Sequence, residues 1–131
     1  MLPSLVLVAA STTLLSLDSG RLHLEVPSTV HLRQSNVNFE TSAYFLYEGN
    51  DKEPLLVIID GGGANDLHSF ARLCLNGRRA WKSEGADSGT VVVGEPGFSA
   101  VAASWAKLSG GRLTEAKAIA SSLRINWGPK C

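Results

Sequence analysis

Short segments in which apolar and polar residues alternate, separated by turn residues, run through most of the chain. In one of them Leu22, Leu24 and Val26 alternate with His23 and Glu25. This period of two is typical of a strand with one buried face. Together with aromatic and β-branched runs, it predicts strands over residues 21–26, 30–33, 42–47, 79–82 and 90–93. The turns between them indicate an antiparallel sheet.

Two apolar segments lack simple alternation. The run LLVII at residues 55–59 is bounded by Pro54 and Asp60, and it predicts a central strand buried on both faces, followed by a glycine loop. Residues 98–108 fit helical spacing and strand alternation equally, so the pattern alone leaves their structure open.

Two further segments have helical spacing. A helix is predicted after Asn65 or Asp66, since either side chain caps a helix N-terminus, and Asn76 with Gly77 would end it. Its apolar positions are Leu67, Phe70, Ala71 and Cys74. A second helix is predicted over residues 113–123 from its amphipathic pattern.

The size and composition are those of one globular domain. The chain has 131 residues, of which 44% are hydrophobic and 18% charged. The predicted fold class is α+β: a mostly antiparallel sheet flanked by two or three helices. Twelve basic and twelve acidic side chains balance, and the longest basic run is Arg78-Arg79. A nucleic acid or an anionic membrane is therefore not an expected partner, because either would need a basic patch.

The N-terminal residues decide the expected compartment. Residues 5–17 form an apolar run of the length of a signal-peptide core, although no lysine or arginine precedes it. The run is too short and too rich in serine and threonine for an integral membrane span. We therefore expect a signal peptide within residues 1–20 and a periplasmic or secreted domain over residues 21–131. The alternative is an ordered N-terminal strand or helix in a cytoplasmic protein.

Two cysteines agree with export, because an even number in a small secreted chain permits one disulfide. They are Cys74 and Cys131. The alternative is a buried thiol at Cys74 and a free terminal thiol at Cys131, since the sequence fixes no distance between them.

Two glycine motifs resemble parts of a hydrolase site. Residues 60–63 (DGGG) are similar to the oxyanion loop of lipases and esterases, and residues 97–99 (GFS) to half of a nucleophile elbow. The elbow lacks its final glycine. All three histidines precede Ser99, whereas the triad order of these enzymes needs one after it. A small hydrolase is thus the remote alternative, and no catalytic residue is assigned.

Side chains with oxygen and nitrogen ligands gather in the loop over residues 60–68: Asp60, Asn65, Asp66 and His68. A calcium or zinc site needs more ligands in a fixed geometry, so we expect no metal and no other cofactor. The loop is instead the predicted contact surface for a ligand or partner, with Trp81 as an aromatic neighbour. The alternative is a helix cap at Asp66 and a glycine turn.

From residue 21 to residue 127 the order of elements resembles the Mog1/PsbP-like family of small α/β sandwich domains. The shared features are an opening strand ending in Val26-Pro27, the buried strand at 55–59, a short helix from Asp66, a hairpin start at Asn76-Gly77-Arg78 and a final helix running into residues 121–125. The resemblance implies that residues 98–106 form a strand. Many members are exported bacterial proteins without shared catalytic residues, so it implies no enzymatic site.

These observations favour a non-enzymatic protein-binding or accessory protein of the bacterial cell envelope, of which an immunity-type protein is one example. The alternative is a module that binds a small ligand or metal through residues 60–68. The sequence indicates neither the partner's identity nor the oligomeric state.

Overall fold

The computed structural model describes residues 11–36, 41–61 and 66–131. These ranges contain ten strands, one α-helix and a short 3-10 turn at Asp18–Gly20. The strands are β1 (Thr12–Leu17), β2 (Leu22–Pro27), β3 (Val30–Asn36), β4 (Ser42–Glu48), β5 (Leu56–Asp60), β6 (Ala71–Leu75), β7 (Arg78–Glu84), β8 (Gly89–Glu95), β9 (Ser99–Trp105) and β10 (Arg124–Ile125), and the helix is α1 (Gly110–Ser121).

The strands form two antiparallel sheets. Seven strands make the larger sheet in the order β3-β4-β5-β9-β8-β7-β6, and the smaller sheet has the order β1-β2-β10. Most neighbouring strands are consecutive in the chain. The exceptions are the pair β5–β9 at the centre of the larger sheet and the pair β2–β10.

The hydrophobic core lies on one face of the larger sheet, which we call the core face. Leu24 of β2, Leu46 of β4 and Ile58 of β5 are fully buried there in one cluster. α1 adds Ala116, Ile119 and Ala120 to the same cluster. The smaller sheet and the helix therefore cover the core face together.

The expected α+β fold with two or three helices is wrong, because the described residues form a β-rich protein with a single helix. The segment after Asp66 forms no helix; β6 follows instead and pairs with β7. Asn76 and Gly77 connect the two strands with φ angles of 48° and 87°. Both angles are left-handed, as a two-residue type I′ hairpin turn requires, so the pair that was expected to end a helix closes a hairpin.

The remaining segment predictions are largely confirmed. α1 covers most of the helix predicted over residues 113–123 and begins earlier, at Gly110. The ambiguous residues 98–108 contain β9, the strand that the resemblance implies. β5 is completely buried on the core face only, since Val57 and Ile59 are half-buried on the other face.

The second half of the apolar run at residues 5–17 forms β1. Leu17 is buried in the core, whereas Leu14 is 59% exposed. Residues 1–10 lie outside the described residues. β1 thus contributes to the core mainly through its last residue and to the smaller sheet through its pairing with β2.

The residues after α1 connect the layers. The Trp127 indole N–H donates to the Ser99 carbonyl at 3.1 Å, and the Arg21 guanidinium lies 4.4 Å from the centre of the Trp127 ring system. Cys131 then reaches β6 and forms a disulfide with Cys74. The disulfide that the two cysteines permit is therefore formed, and the alternative of two free thiols is wrong.

The side chain of Asn76 fixes the end of α1. Its amide donates to the backbone carbonyls of Ser121 at 3.0 Å and Leu123 at 2.8 Å. Asn76→Gly keeps the left-handed turn but removes both bonds, so we expect it to lower the free energy of unfolding by about 1–2 kcal/mol in urea denaturation. Asn50→Gly, at an exposed turn position, is the control. An equal loss in both variants would contradict the role of these bonds.

Gly89 allows the Trp105 ring to lie against the sheet. A Cβ at residue 89 would lie 2.7 Å from Cε2 of Trp105, which is only 3% exposed. We expect Gly89→Ala to lower the free energy of unfolding by about 1–3 kcal/mol, because the buried ring must shift. Gly111→Ala in α1 has no atom within 4 Å of the new methyl group. This control should stabilise the protein by about 0.5–1 kcal/mol, and two equally destabilised variants in thermal unfolding would refute the steric cause.

Candidate functional site

The residues predicted to contact a ligand or partner do not all lie together. Asp60 ends β5 on the core face and is 9% exposed. Asp66 and His68 are exposed before β6, where Asp66 Oδ1 accepts a hydrogen bond from the His68 backbone N–H. Trp81 is half-buried on the opposite face of the larger sheet, and Asn65 lies outside the described residues. The contact role of this loop stays a prediction.

Asp60 belongs to a group of polar residues at one end of the core face. Burial raises its pKa to about 6; the charge of Asp18 and a hydrogen bond with it add to the shift, and Arg21 opposes it. Arg21 also pairs with Asp18 at 3.4 Å. Tyr44 lies nearby, and burial followed by the charge of Asp60 raises its pKa. Asp60 therefore keeps its proton in weakly acidic solution, where it is hydrogen-bonded to Asp18.

A second carboxyl pair lies where α1 meets the end of β4. Burial raises the pKa of Glu115 to about 7, and the hydrogen bond and charge of Glu48 add to the shift. The same hydrogen bond is the largest cause that lowers the pKa of Glu48. Arg112 faces the pair and contacts Asp51 at 3.5 Å. In each pair, one acid thus has a raised pKa because it is buried beside a second acidic side chain.

The face of the larger sheet opposite to the core face, which we call the outer face, has an apolar centre. Strand register places seven apolar side chains there in two neighbouring rows, of which one is the small, buried Ala43. The other six, which we call the apolar band, are Phe45, Val57, Ile59, Trp81, Val92 and Ala102. Val92 is only 2% exposed and the others are half-buried, yet none belongs to the main core cluster.

Arginines flank the apolar band at both edges of the sheet. Arg33 lies on β3, and Arg72 and Arg79 lie on β6 and β7; all three are exposed. The acidic residues in strands of the larger sheet occupy the alternate positions that belong to the core face. They are Glu48, Asp60, Glu84 and Glu95. Among the described strand positions, the outer face therefore carries positive charge and no carboxylate.

The arginines of β6 and β7 line a groove with a volume of about 400 Å³. Arg72 is directly opposite Trp81 in the register, and Cys74 is opposite Arg79. The disulfide to Cys131 forms part of its wall. Two guanidinium groups beside an indole ring suit a carboxylate or phosphate attached to a planar group.

Two further cavities adjoin one end of the outer face, where Ser104 of β9 lies opposite Thr90 of β8. One, of about 320 Å³, is rich in hydroxyl groups: Ser83, Ser88, Thr90 and Ser104 line it together with Phe70. The Thr90 and Ser104 hydroxyls are hydrogen-bonded at 3.0 Å. The other, of about 580 Å³, extends past Val57 to Glu53 and Arg112. Neither carboxyl pair lines any of the three cavities.

The residues of the hydrolase and metal hypotheses have other partners. His23 Nδ1 is hydrogen-bonded to Ser16 Oγ at 2.9 Å, and the His31 ring stacks on Tyr47. Ser99 begins β9 and accepts the Trp127 N–H through its carbonyl. In residues 11–36, 41–61 and 66–131, no three histidine, cysteine or acidic side chains gather as metal ligands. No helix in the same ranges has the length and apolarity needed to cross a membrane.

Of the outer-face residues, only Trp81 is among the contact residues predicted from the sequence. The three arginines were not predicted as contact residues, although each is next in the sequence to a residue that packs in or against the core. These arginines are Arg33, Arg72 and Arg79. Strand alternation then places the arginine on the other face, and this signal is present in the sequence. That the three share one face with the apolar band follows from the strand order, which no local pattern supplies.

The outer face, with its apolar band and three arginines, is the candidate functional site. The resemblance to the Mog1/PsbP-like family stays a prediction. Comparison with protein-family models, curated proteins and solved structures found no match to this chain.

Proposed function

We propose that this chain is a non-enzymatic protein-binding or accessory protein whose contact surface is the outer face. The observation that carries the proposal is the apolar band, whose six side chains lie together on a face that adds nothing to the main core cluster. Contiguous apolar patches with polar margins are typical of protein interaction sites. Tryptophan and arginine are also the residue types enriched at the energetically important positions of interfaces.

The sheet supports this role by fixing the band in place. Val92 lies between Trp81 of β7 and Ala102 of β9, each held by strand pairing. A partner that docks on paired strands orders little additional backbone, so less of the binding free energy is lost to conformational entropy.

The disulfide supports an oxidising compartment, because such bonds are rare in reducing cytosol. We place the protein in the bacterial periplasm or outside the cell, where an accessory or immunity-type protein would meet its partner. N-terminal sequencing of the protein purified from envelope fractions tests this placement. An intact N-terminus on protein confined to the cytoplasm would contradict it.

Site-specific photo-crosslinking tests the contact surface. We place benzoylphenylalanine at Phe45 in the apolar band and, as controls, at two exposed apolar positions away from it, Leu14 and Phe98, which are 59% and 78% exposed. Incubation with envelope extract should give an adduct of one discrete mass from position 45 and not from the controls. Adducts from the control positions alone, or from none of the three, would refute the assignment of the outer face.

A second candidate function is binding of a small anion, favoured by the groove beside the disulfide. Arg72, Arg79 and Trp81 would hold an aromatic carboxylate by paired hydrogen bonds and ring contact. Calorimetric titration with indole-3-acetate tests it. Heat that Arg72→Gln abolishes and that Arg124→Gln, at an exposed site in β10, retains would support this function; absence of heat in the native protein would exclude this ligand class.

A further inference from the structure

We propose that the partner segment docked on the outer face is acidic, with carboxylates toward its edges and apolar side chains between them. This inference rests on the proposed function and adds the chemistry of the partner. Its basis is charge: the described outer-face strand positions carry Arg33, Arg72 and Arg79 and no aspartate or glutamate. The whole chain has twelve acidic and twelve basic residues, so the imbalance is local.

The three arginines are accessible to a partner. All are exposed, and the ion pairs among the described residues use other cations: Arg21, Lys82, Arg112 and Lys117. The Arg33 guanidinium lies 5.1 Å from the Tyr47 ring centre, an arrangement that leaves its N–H edge for a carboxylate. Arginine is suited to this contact because it binds a carboxylate through two parallel hydrogen bonds.

The spacing of the arginines indicates a macromolecular surface. Arg33 lies in β3 and Arg72 in β6, the two edge strands of the larger sheet. Six interstrand steps of about 4.8 Å separate these strands by about 29 Å. A small ligand does not reach across that distance, whereas a protein interface of ordinary size does.

Two other protein occupants complement this face less well. A second copy in a two-fold dimer would bring the same face against itself, so positive edges would meet positive edges. Residues 1–10 are apolar enough to cover the band but contain no acidic side chain. They would therefore leave the arginines without a counter-charge.

Single-stranded nucleic acid also matches the face less well than an acidic protein does. Such strands bind to basic grooves in which aromatic rings stack on successive bases. The middle of the band is aliphatic, with Val57, Ile59 and Val92, and the arginines lie only toward the edges. Apolar side chains of a protein fit this centre better than bases do.

Fluorescence anisotropy with a labelled random glutamate–tyrosine copolymer tests the inference on the full-length, disulfide-bonded protein. We expect binding that weakens as salt rises, and at least a roughly tenfold loss of affinity when Arg33, Arg72 and Arg79 are all changed to glutamine. The matched control changes Lys52, Lys117 and Arg124 to glutamine; they lie in the turn after β4, in α1 and in β10, away from the outer face. It should keep the affinity within about twofold, because the same net charge is lost away from the face.

Three outcomes would overturn the acidic-partner inference: no binding of the copolymer, equal losses in both triple variants, or tighter binding of oligothymidylate than of the copolymer. The cross-linker at residue 45 separates this failure from failure of the proposed function. A discrete adduct that forms equally with the arginine variant leaves the docking surface valid and the acidic partner wrong. A cross-link to a second copy, or to residues 1–10 of the same chain, would identify that occupant instead and refute both.

Discussion

Replacing Cys74 and Cys131 together by serine is expected to lower the free energy of unfolding by about 4 kcal/mol. The disulfide closes a loop of 57 residues, and the chain-entropy relation for a loop of this length gives about that value. Both cysteines are exposed, so serine at either position leaves no buried cavity. The loss should therefore come from the greater freedom of the unfolded chain.

Urea denaturation of the oxidised protein and the double variant measures this effect. The reduced native protein is the matched control, since it has the same loop opened without substitution, and it should coincide with the double variant. Equal unfolding free energies for the oxidised protein and the double variant would show that the bond adds no stability.

The change that Asp60→Asn makes in the free energy of unfolding should be more stabilising at pH 8 than at pH 4. Because burial raises the folded-state pKa of Asp60 from 3.8 to about 6, the folded state binds more protons than the unfolded state between these values. Stability from this group is thus present at low pH and is lost as pH rises through about 4 to 6, a change of about 3 kcal/mol. Asparagine does not ionise, and its amide still donates to Asp18.

Thermal or urea unfolding of both proteins at pH 4 and pH 8 tests this expectation. Asp66→Asn is the control, because it removes the same formal charge from an exposed position. A pH-dependent gain of equal size in both variants would refute burial of Asp60 as the cause.

Most strands were predictable because their signals are local. Residues 21–26 and 42–47 show the alternation or aromatic content of strands that pack on one face, and they form β2 and β4. The failure at residues 66–74 has an equally local origin. Apolar spacing there fits a helix, but the Asn76-Gly77 pair favours a type I′ turn, and pairing with β7 satisfies the backbone of β6. Local hairpin pairing overrode a short periodic pattern.

The candidate site was less predictable because it depends on long-range order. Trp81 was expected at a contact surface, but Val57 and Ile59 of β5 were not, because β5 lies next to β9 only through the strand order of the whole sheet. Asp60 was expected in a contact loop, yet the charged side chains that shift its pKa, Asp18 and Arg21, come from the turn before β2. Sequence spacing does not show which turn lies against which strand end.

The pairing of β2 with β10 has a consequence for the order of folding. His23 and Arg124 face each other across this pair although about a hundred residues separate them, whereas β6, β7, β8 and β9 form successive hairpins of local contacts. The hairpins are able to form early, while β10 docks only after nearly the whole chain is present, since closing so long a loop is entropically costly. We expect the smaller sheet to be completed last, with Cys131 brought to Cys74 only at that stage, so oxidation reports the end of folding and not its beginning.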